Sequence, residues 1–313
     1  MQDNNSKWDT QVTYTKLILT QFLWSGVFIG GQLALISQPP LVAALAKNLI
    51  SSICLVIILC YVALRRDVAL PNRDTYVPLF IMGLFGVFLY TMFVYVGLSK
   101  TTAVSASLLI PTIQPTVTVL LANFVAKERI TGYQICGLTF GVLGAIIILT
   151  GNWELRTSGV DLIGDILIVI AAVCFSVYSV FGKKALKYHS PLEATTYSTI
   201  IGTILLMVLA AFTTGATTFW TASYNFWMIM IYLVVFAGVI PLIWWYNGVK
   251  KIGASKTGVL TLLMPPISLL LAIPILHQKP SLFQLCGGGI GLLGVAFASG
   301  LIKMPTRTHQ KNN

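Results

Sequence analysis

Gln134-Ile135-Cys136-Gly137-Leu138-Thr139-Phe140-Gly141-Val142-Leu143-Gly144 has an echo late in the chain, Gln284-Leu285-Cys286-Gly287-Gly288-Gly289-Ile290-Gly291-Leu292-Leu293-Gly294. The glutamine, the cysteine and three glycines recur at one register, which shared hydrophobicity alone does not produce. Followed back towards the amino terminus, the match continues at an offset of 151 residues. Ser25, Gly31, Ala34, Leu35, Pro40, Leu41 and Ala43 recur as Ser176, Gly182, Ala185, Leu186, Pro191, Leu192 and Ala194. Tyr95, Gly97, Lys100 and Pro115 recur as Tyr246, Gly248, Lys251 and Pro266, after which the second copy is one residue shorter. The chain is therefore two copies of one unit, residues 1–151 and 152–313.

The composition says where such a unit folds. Of 313 residues, 56% are hydrophobic and only 9% are charged, with a mean hydropathy of +0.84. A soluble domain carries about 25% charged residues, so this inventory cannot make a water-facing surface, whereas hydrocarbon asks for none. Apolar runs long enough to cross a bilayer as helices, about 20 residues each, fall at 17–37, 41–64, 76–98, 103–126 and 135–151. A second set falls at 162–182, 192–212, 226–249, 258–276 and 282–302. The chain reads as an all-α polytopic membrane protein of ten transmembrane helices, five per copy. An odd number of crossings makes the second copy enter from the opposite side, so the two halves are inverted. Inverted repeats around a midplane site are the architecture of secondary transporters.

The net charge of +11 is a topology signal. With the amino terminus cytoplasmic, sixteen of the twenty Lys and Arg residues fall in the inner segments, among them Arg65, Arg66, Lys127, Arg129, Lys183, Lys184 and Lys187. Only Lys100, Arg156 and Lys279 fall outside, and Lys47 lies within a span. The positive-inside bias places both termini in the cytoplasm and gives the charge a role other than nucleic-acid binding. Trp153, Trp220 and Trp227 fall at outer boundaries, where indole rings favour the headgroup layer. No small-residue cleavage site follows the first apolar run, so it is retained as a span.

The Pro-Leu-x-Ala start of the second span in each half, the basic residue in Ala43-Ala44-Leu45-Ala46-Lys47 and the Pro115 region running into Lys127-Glu128-Arg129 form a pattern. Joined to Gln134 and the glycine ladder, it resembles the drug/metabolite transporter superfamily in its EamA-type ten-helix branch. The likeness covers nearly the whole chain. It implies a carrier of amino acids, nucleosides, nucleotide sugars, drugs or polyamines. Two departures stand out: Lys47 occupies a usual arginine position, and the acidic residue after the fourth span is Glu128 in one half but Gln278 in the other.

Helices interrupted at matching places point to a transporter's site. The fourth span holds Pro111 and Pro115 and the ninth holds Pro265, Pro266 and Pro274. Proline removes an amide donor and frees a carbonyl, so bends are predicted near mid-membrane, facing a polar cavity or repaired by Thr112, Thr116 or Ser268. Gln21, Trp24, Phe28 and Gln32 share one stripe of the first span; their counterparts are Ala172, Phe175, Ser179 and Lys183. Gly83, Gly86, Tyr90, Phe93 and Gly97 share one of the third. Such stripes face protein, as cavity wall or as packing surface. The expected substrate site combines Trp24, Phe28, Tyr90, Gln114, Tyr178 and Trp244, the aromatics giving apolar and cation–π surface and Gln114 orienting by hydrogen bonds. Lys47 lies about 9 Å below the outer end of its helix, near enough to snorkel to the headgroups or placed to meet a substrate carboxylate.

Other motifs carry less. Gly289-x-Gly291-x-x-Gly294 lies inside a span instead of opening a helix after a strand, so it is a packing surface and not a dinucleotide loop. The five cysteines sit in apolar runs and the three histidines at segment ends, which suits neither disulfides nor a metal. No catalytic motif is present and no connection has room for an ATPase, so no enzyme, cofactor or metal is expected. The predicted function is an alternating-access carrier or exporter of a small organic metabolite, foremost an amino acid or similar amphipathic compound, in the inner cell membrane. A multidrug or nucleotide-sugar-like carrier and a non-transporting membrane protein are the alternatives. Partners are the small-molecule substrate and membrane lipid; proton coupling is open to Asp165 and Glu193 only, and either a monomer or a homodimer satisfies the sequence.

Overall fold

A computed structural model describes residues 2–126, 132–150, 160–213, 222–252 and 260–298. Lys127, Glu128, Arg129, Trp153 and Trp220 lie outside the described residues, as do Arg156, Lys256, Lys303, Arg307, Lys311 and the side chain of Pro115. Ten helical runs follow. The first half holds α1 (Gln2–Ala34), α2 (Pro40–Ala63), α3 (Arg73–Leu98), α4 (Ala103–Ala126) and α5 (Gly132–Thr150). The second half holds α6 (Val160–Ala185), α7 (Pro191–Ala211), α8 (Tyr224–Ile231 running on through Tyr232–Val239 and Ile240–Ile252), α9 (Leu260–Leu263 and Met264–Leu276) and α10 (Leu282–Ala298).

Local sequence sets the helix starts. Prolines at the first positions of α2 and α7 use the one place in a helix where a missing N–H costs nothing. Ser190 and Glu193 close a capping box on α7, and Asn72 and Thr75 close another on α3. Large apolar side chains face outward in mid-helix, Ile57 at 62%, Phe124 at 78% and Leu270 at 70% exposed. In water this would be a liability; in a bilayer these side chains meet lipid.

Pro111 and Pro115 lie within one helical run, α4, from Ala103 to Ala126, where Thr116 donates to the Thr112 carbonyl at 3.1 Å and Thr118 to that of Gln114 at 2.7 Å. Only in the second half does a break occur, where the 3-10 turn Leu260–Leu263 gives way to an α-helix with Pro265 near its start. The matched irregularities lie elsewhere. Met82–Leu89 in α3 and Tyr232–Val239 in α8 are both π-helical, within one residue of the repeat register. Such wide turns displace the side chains that follow and recur at functional sites.

The halves interdigitate. Each half's first helix packs against the third and fourth of the other, α1 on α8 and α9, α6 on α3 and α4. Equivalent hydrogen bonds fasten these crossings: Ser25 donates to the Met264 carbonyl and Ser176 to the Gln114 carbonyl, both at 3.0 Å. Since Ser25 and Ser176 are repeat partners, Met264 matches Gln114 and Pro265 matches Pro115. The residue missing from the second copy is therefore lost before Pro265, not after Pro266. α2 meets its own counterpart α7, where Ser52 and Thr203, also repeat partners, share a hydroxyl–hydroxyl bond of 2.8 Å. α5 meets its counterpart α10 through the glycine ladder, where a Cβ on Gly144 would stand 2.5 Å from the Gly287 carbonyl oxygen.

Candidate substrate cavity

The crossing of the halves leaves a cavity of two adjoining lobes, about 490 and 500 Å³, that share Trp24, Lys47, Ser51, Tyr90 and Phe175 in their walls. Its position follows from the packing just described. α1 and α6 each cross into the other half, and the π segments of α3 and α8 widen the walls: Gly86 and Val87 from one, Val234, Ala237 and Gly238 from the other, line the second lobe. Gly83, Gly86 and Gly202 let α3 approach α6 and α7 closely. A Cβ on Gly83 would stand 2.7 Å from Ile201, and one on Gly86 would enter the Tyr178 ring.

Six of the seven residues expected to bind substrate line this space. Trp24, Phe28, Lys47, Tyr90 and Gln114 border the first lobe, and Tyr178 joins Trp24, Lys47 and Tyr90 in the second. Pro111 lines the first lobe as well. Trp244 is the exception, absent from both walls. Adjacent helical residues point about 100° apart, and it is the neighbouring Trp245, itself in neither wall, whose ring stands 5.2 Å from that of Trp24. Phe175, noted in sequence as the counterpart of Trp24 but not placed in the expected site, lines both lobes. It stands 5.1 Å from Tyr90 and 5.4 Å from Tyr178, completing an aromatic row, and its match to Trp24 in the repeat was the signal for it.

The polar groups of the wall are few. Lys47 is half-buried, turned to both lobes, and has neither an ion pair nor a hydrogen bond among the described residues. The Gln114 side chain and the Tyr90 hydroxyl are likewise unengaged; only the Gln114 carbonyl accepts bonds. No described wall residue is acidic. The two carboxylates considered for proton coupling are held elsewhere. Glu193 accepts from the Ser190 amide at 2.9 Å and the Ala69 amide at 3.2 Å. Asp165, wholly buried, accepts from the Thr101 hydroxyl at 2.5 Å.

The two ends of the bundle differ. At the end holding Arg65, Arg66, Lys183, Lys184 and Lys187, the second lobe reaches between α2 and α7, lined by Leu55, Ile58, Leu192 and Thr195. At the opposite end an amide clasp draws the helices together. Gln32 accepts from the Gln278 side chain and the Ala103 amide, both at 2.8 Å, and donates to the Thr101 carbonyl at 3.2 Å. Gln32, noted in sequence as part of the aromatic stripe, is thus a closing residue and not a wall residue. Gln21 from the same stripe is buried with neither amide atom bonded.

The EamA-like transporter family is matched twice along the chain, over residues 12–150 and 162–300. A Bacillus subtilis protein named uncharacterized transporter YyaM is 30% identical over 273 residues, covering 86% of this chain and 87% of its own. A Streptantibioticus cattleyicolor protein named probable terminal-alkyne amino-acid exporter is 27% identical over 280 residues, covering 89% of this chain and 90% of its own. A protein of known crystal structure shares the fold, with a TM-score of 0.62 at 20% identity over 93% of this chain and 97% of that one.

Proposed function

This chain belongs to the EamA-like transporter family, and from that premise we propose that it is an alternating-access exporter of an amino acid or similar amphipathic metabolite. It is a multi-pass membrane transporter, a carrier and not an enzyme. The finer reading is carried by one observation: the cavity is walled by matched helices of both inverted halves, with an amide cluster tying the helices together at one end. A site on the boundary between two halves is exposed to alternate sides when they rock against each other. The distribution of Lys and Arg supports cytoplasmic termini in an inner membrane, which makes the clasped end the outer one and the state inward-facing. Aromatic walls beside one cation suit an amphipathic molecule, and the relative named an amino-acid exporter supports that class. With Asp165 and Glu193 held by structural bonds, exchange or facilitated diffusion is favoured over proton antiport.

Counterflow into liposomes tests this. Vesicles containing purified protein and a millimolar pool of unlabelled aromatic amino acid should transiently concentrate the labelled form. Phe175→Ala should reduce that uptake about two- to tenfold, the loss of one stacking surface being worth roughly 0.5–1.5 kcal/mol. Absence of counterflow for every amino acid offered would remove the amino-acid reading, and a Phe175→Ala protein with full counterflow would remove the cavity from it.

A further inference from the structure

We propose that the cavity is a carboxylate site with no requirement for an amine: its substrates are monocarboxylates with an aromatic or bulky apolar tail, the carboxylate on Lys47. This rests on the carrier reading above and narrows it. The first argument is charge. A lysine inside a span costs roughly 2.5–3.5 kcal/mol on insertion scales, and here nothing among the described residues offsets it. Its side chain faces both lobes, so it is positioned for an anion that enters the cavity and not for the headgroups.

The second argument is what the wall lacks. An ammonium group buried in the same space needs its charge offset by a carboxylate, and no acidic residue lines either lobe among the described residues; Gln114 and the Tyr90 hydroxyl could accept its hydrogen bonds but carry no charge to offset it. Asp165 and Glu193 are already bonded, to Thr101 and to Ser190 and Ala69. An amine would add a second unpaired positive charge beside Lys47. The Tyr90–Phe175–Tyr178 row could hold it through ring faces, yet the same row stacks a neutral aromatic tail without that repulsion.

The third argument is asymmetry. The repeat counterpart of Lys47 is Ser198, wholly buried and bonded to the Thr195 carbonyl at 3.1 Å. The site thus has one charged pole, on α2, and none on α7. One carboxylate is neutralised; a dicarboxylate would leave its second charge buried and unpaired. Cationic amphiphiles are disfavoured by the same pole.

A matched series tests the idea: 3-phenylpropionate, phenylalanine, phenethylamine and phenylsuccinate, titrated by calorimetry against the full-length protein in nanodiscs. 3-Phenylpropionate should bind at least as tightly as phenylalanine, and phenethylamine and phenylsuccinate about tenfold or more weakly, the scale on which a buried charge is left unpaired. Lys47→Gln should weaken 3-phenylpropionate by about tenfold or more, while Lys47→Arg retains it. Phenethylamine binding as tightly as 3-phenylpropionate, unchanged 3-phenylpropionate affinity in Lys47→Gln, or no binding by any of the four would overturn the proposal. The wild-type series decides alone should the variants not fold. Counterflow separates the two readings: amines carried in preference to carboxylates defeat this proposal and leave the carrier standing. Binding in the expected order with no counterflow does the reverse.

Discussion

Replacing Gly144 by alanine puts one methyl group into the closest seam of the fold. The new Cβ would stand 2.5 Å from the Gly287 carbonyl oxygen, 2.7 Å from the Gly291 amide nitrogen and 3.0 Å from the Gly291 Cα. All three are backbone atoms of a continuous helix, so no side chain can rotate away and α5 and α10 must part. Overpacking of this kind costs about 1–3 kcal/mol, with this site at the upper end, while the change from glycine to alanine returns about 1 kcal/mol of helix propensity. A net loss of about 2 kcal/mol is expected, or a Tm lower by roughly 3 °C for a chain this large. Gly294→Ala, 2.7 Å from the Gly137 carbonyl oxygen on the other side of the pseudo-symmetric seam, should behave alike. Gly289 supplies the control, since a Cβ there meets nothing within 4 Å. Gly289→Ala should keep or raise Tm. The measurement is thermal unfolding of detergent-purified protein followed by tryptophan fluorescence. If Gly289→Ala is as damaging as Gly144→Ala, glycine matters in these spans for some reason other than close approach, and the packing argument fails.

Two further outcomes follow from the polar contacts. Glu193→Ala removes the capping box on α7 together with the bond to Ala69 and should cost about 1–2 kcal/mol of stability, whereas Glu193→Gln, which keeps an acceptor, should preserve counterflow; loss of counterflow in Glu193→Gln at unchanged Tm would restore Glu193 as a proton carrier. In a background with the five native cysteines replaced, a Gln32→Cys/Gln278→Cys pair bridged by a short thiol crosslinker should halt counterflow, and reduction should restore it. Full counterflow with that crosslink in place would mean that the clasp does not open during transport.

Much of this was legible because glycine, proline and charge act locally. The recurrence of Gly137, Gly141 and Gly144 as Gly287, Gly291 and Gly294 marked both spans as close-packing surfaces, though not as each other's partner, and Lys47 announced itself as a charge in an apolar run. Trp24, Phe28, Tyr90, Gln114 and Tyr178 came to one cavity because stripes that mix aromatic and polar residues avoid lipid. Trp244 lies in neither lobe's wall for a geometric reason: it and Trp245 share no face, and spacing alone does not say which of two adjacent indoles meets Trp24. The π segments were hidden because Met82–Leu89 and Tyr232–Val239 are ordinary apolar runs, and a wide turn is chosen by the packing around it. The prolines were less telling, because proline removes one amide donor from a turn without fixing whether the helix around it ends, and α4 is one helical run through Pro111 and Pro115. Which helix crosses into which half lies between residues far apart in sequence, where no local rule reaches.

The hydroxyl bond between Ser52 and Thr203 joins one position to its own copy, so it straddles the pseudo-two-fold axis. The bond nevertheless has a direction. The Thr203 hydroxyl carries one proton and gives it to the Thr199 carbonyl at 2.7 Å, so toward Ser52 it can only accept, and Ser52 is the donor. The two copies thus meet on their axis as unlike partners, a hydroxyl that gives and a hydroxyl that takes, and the one bond in which a position touches its own copy is also where the halves are chemically distinguishable.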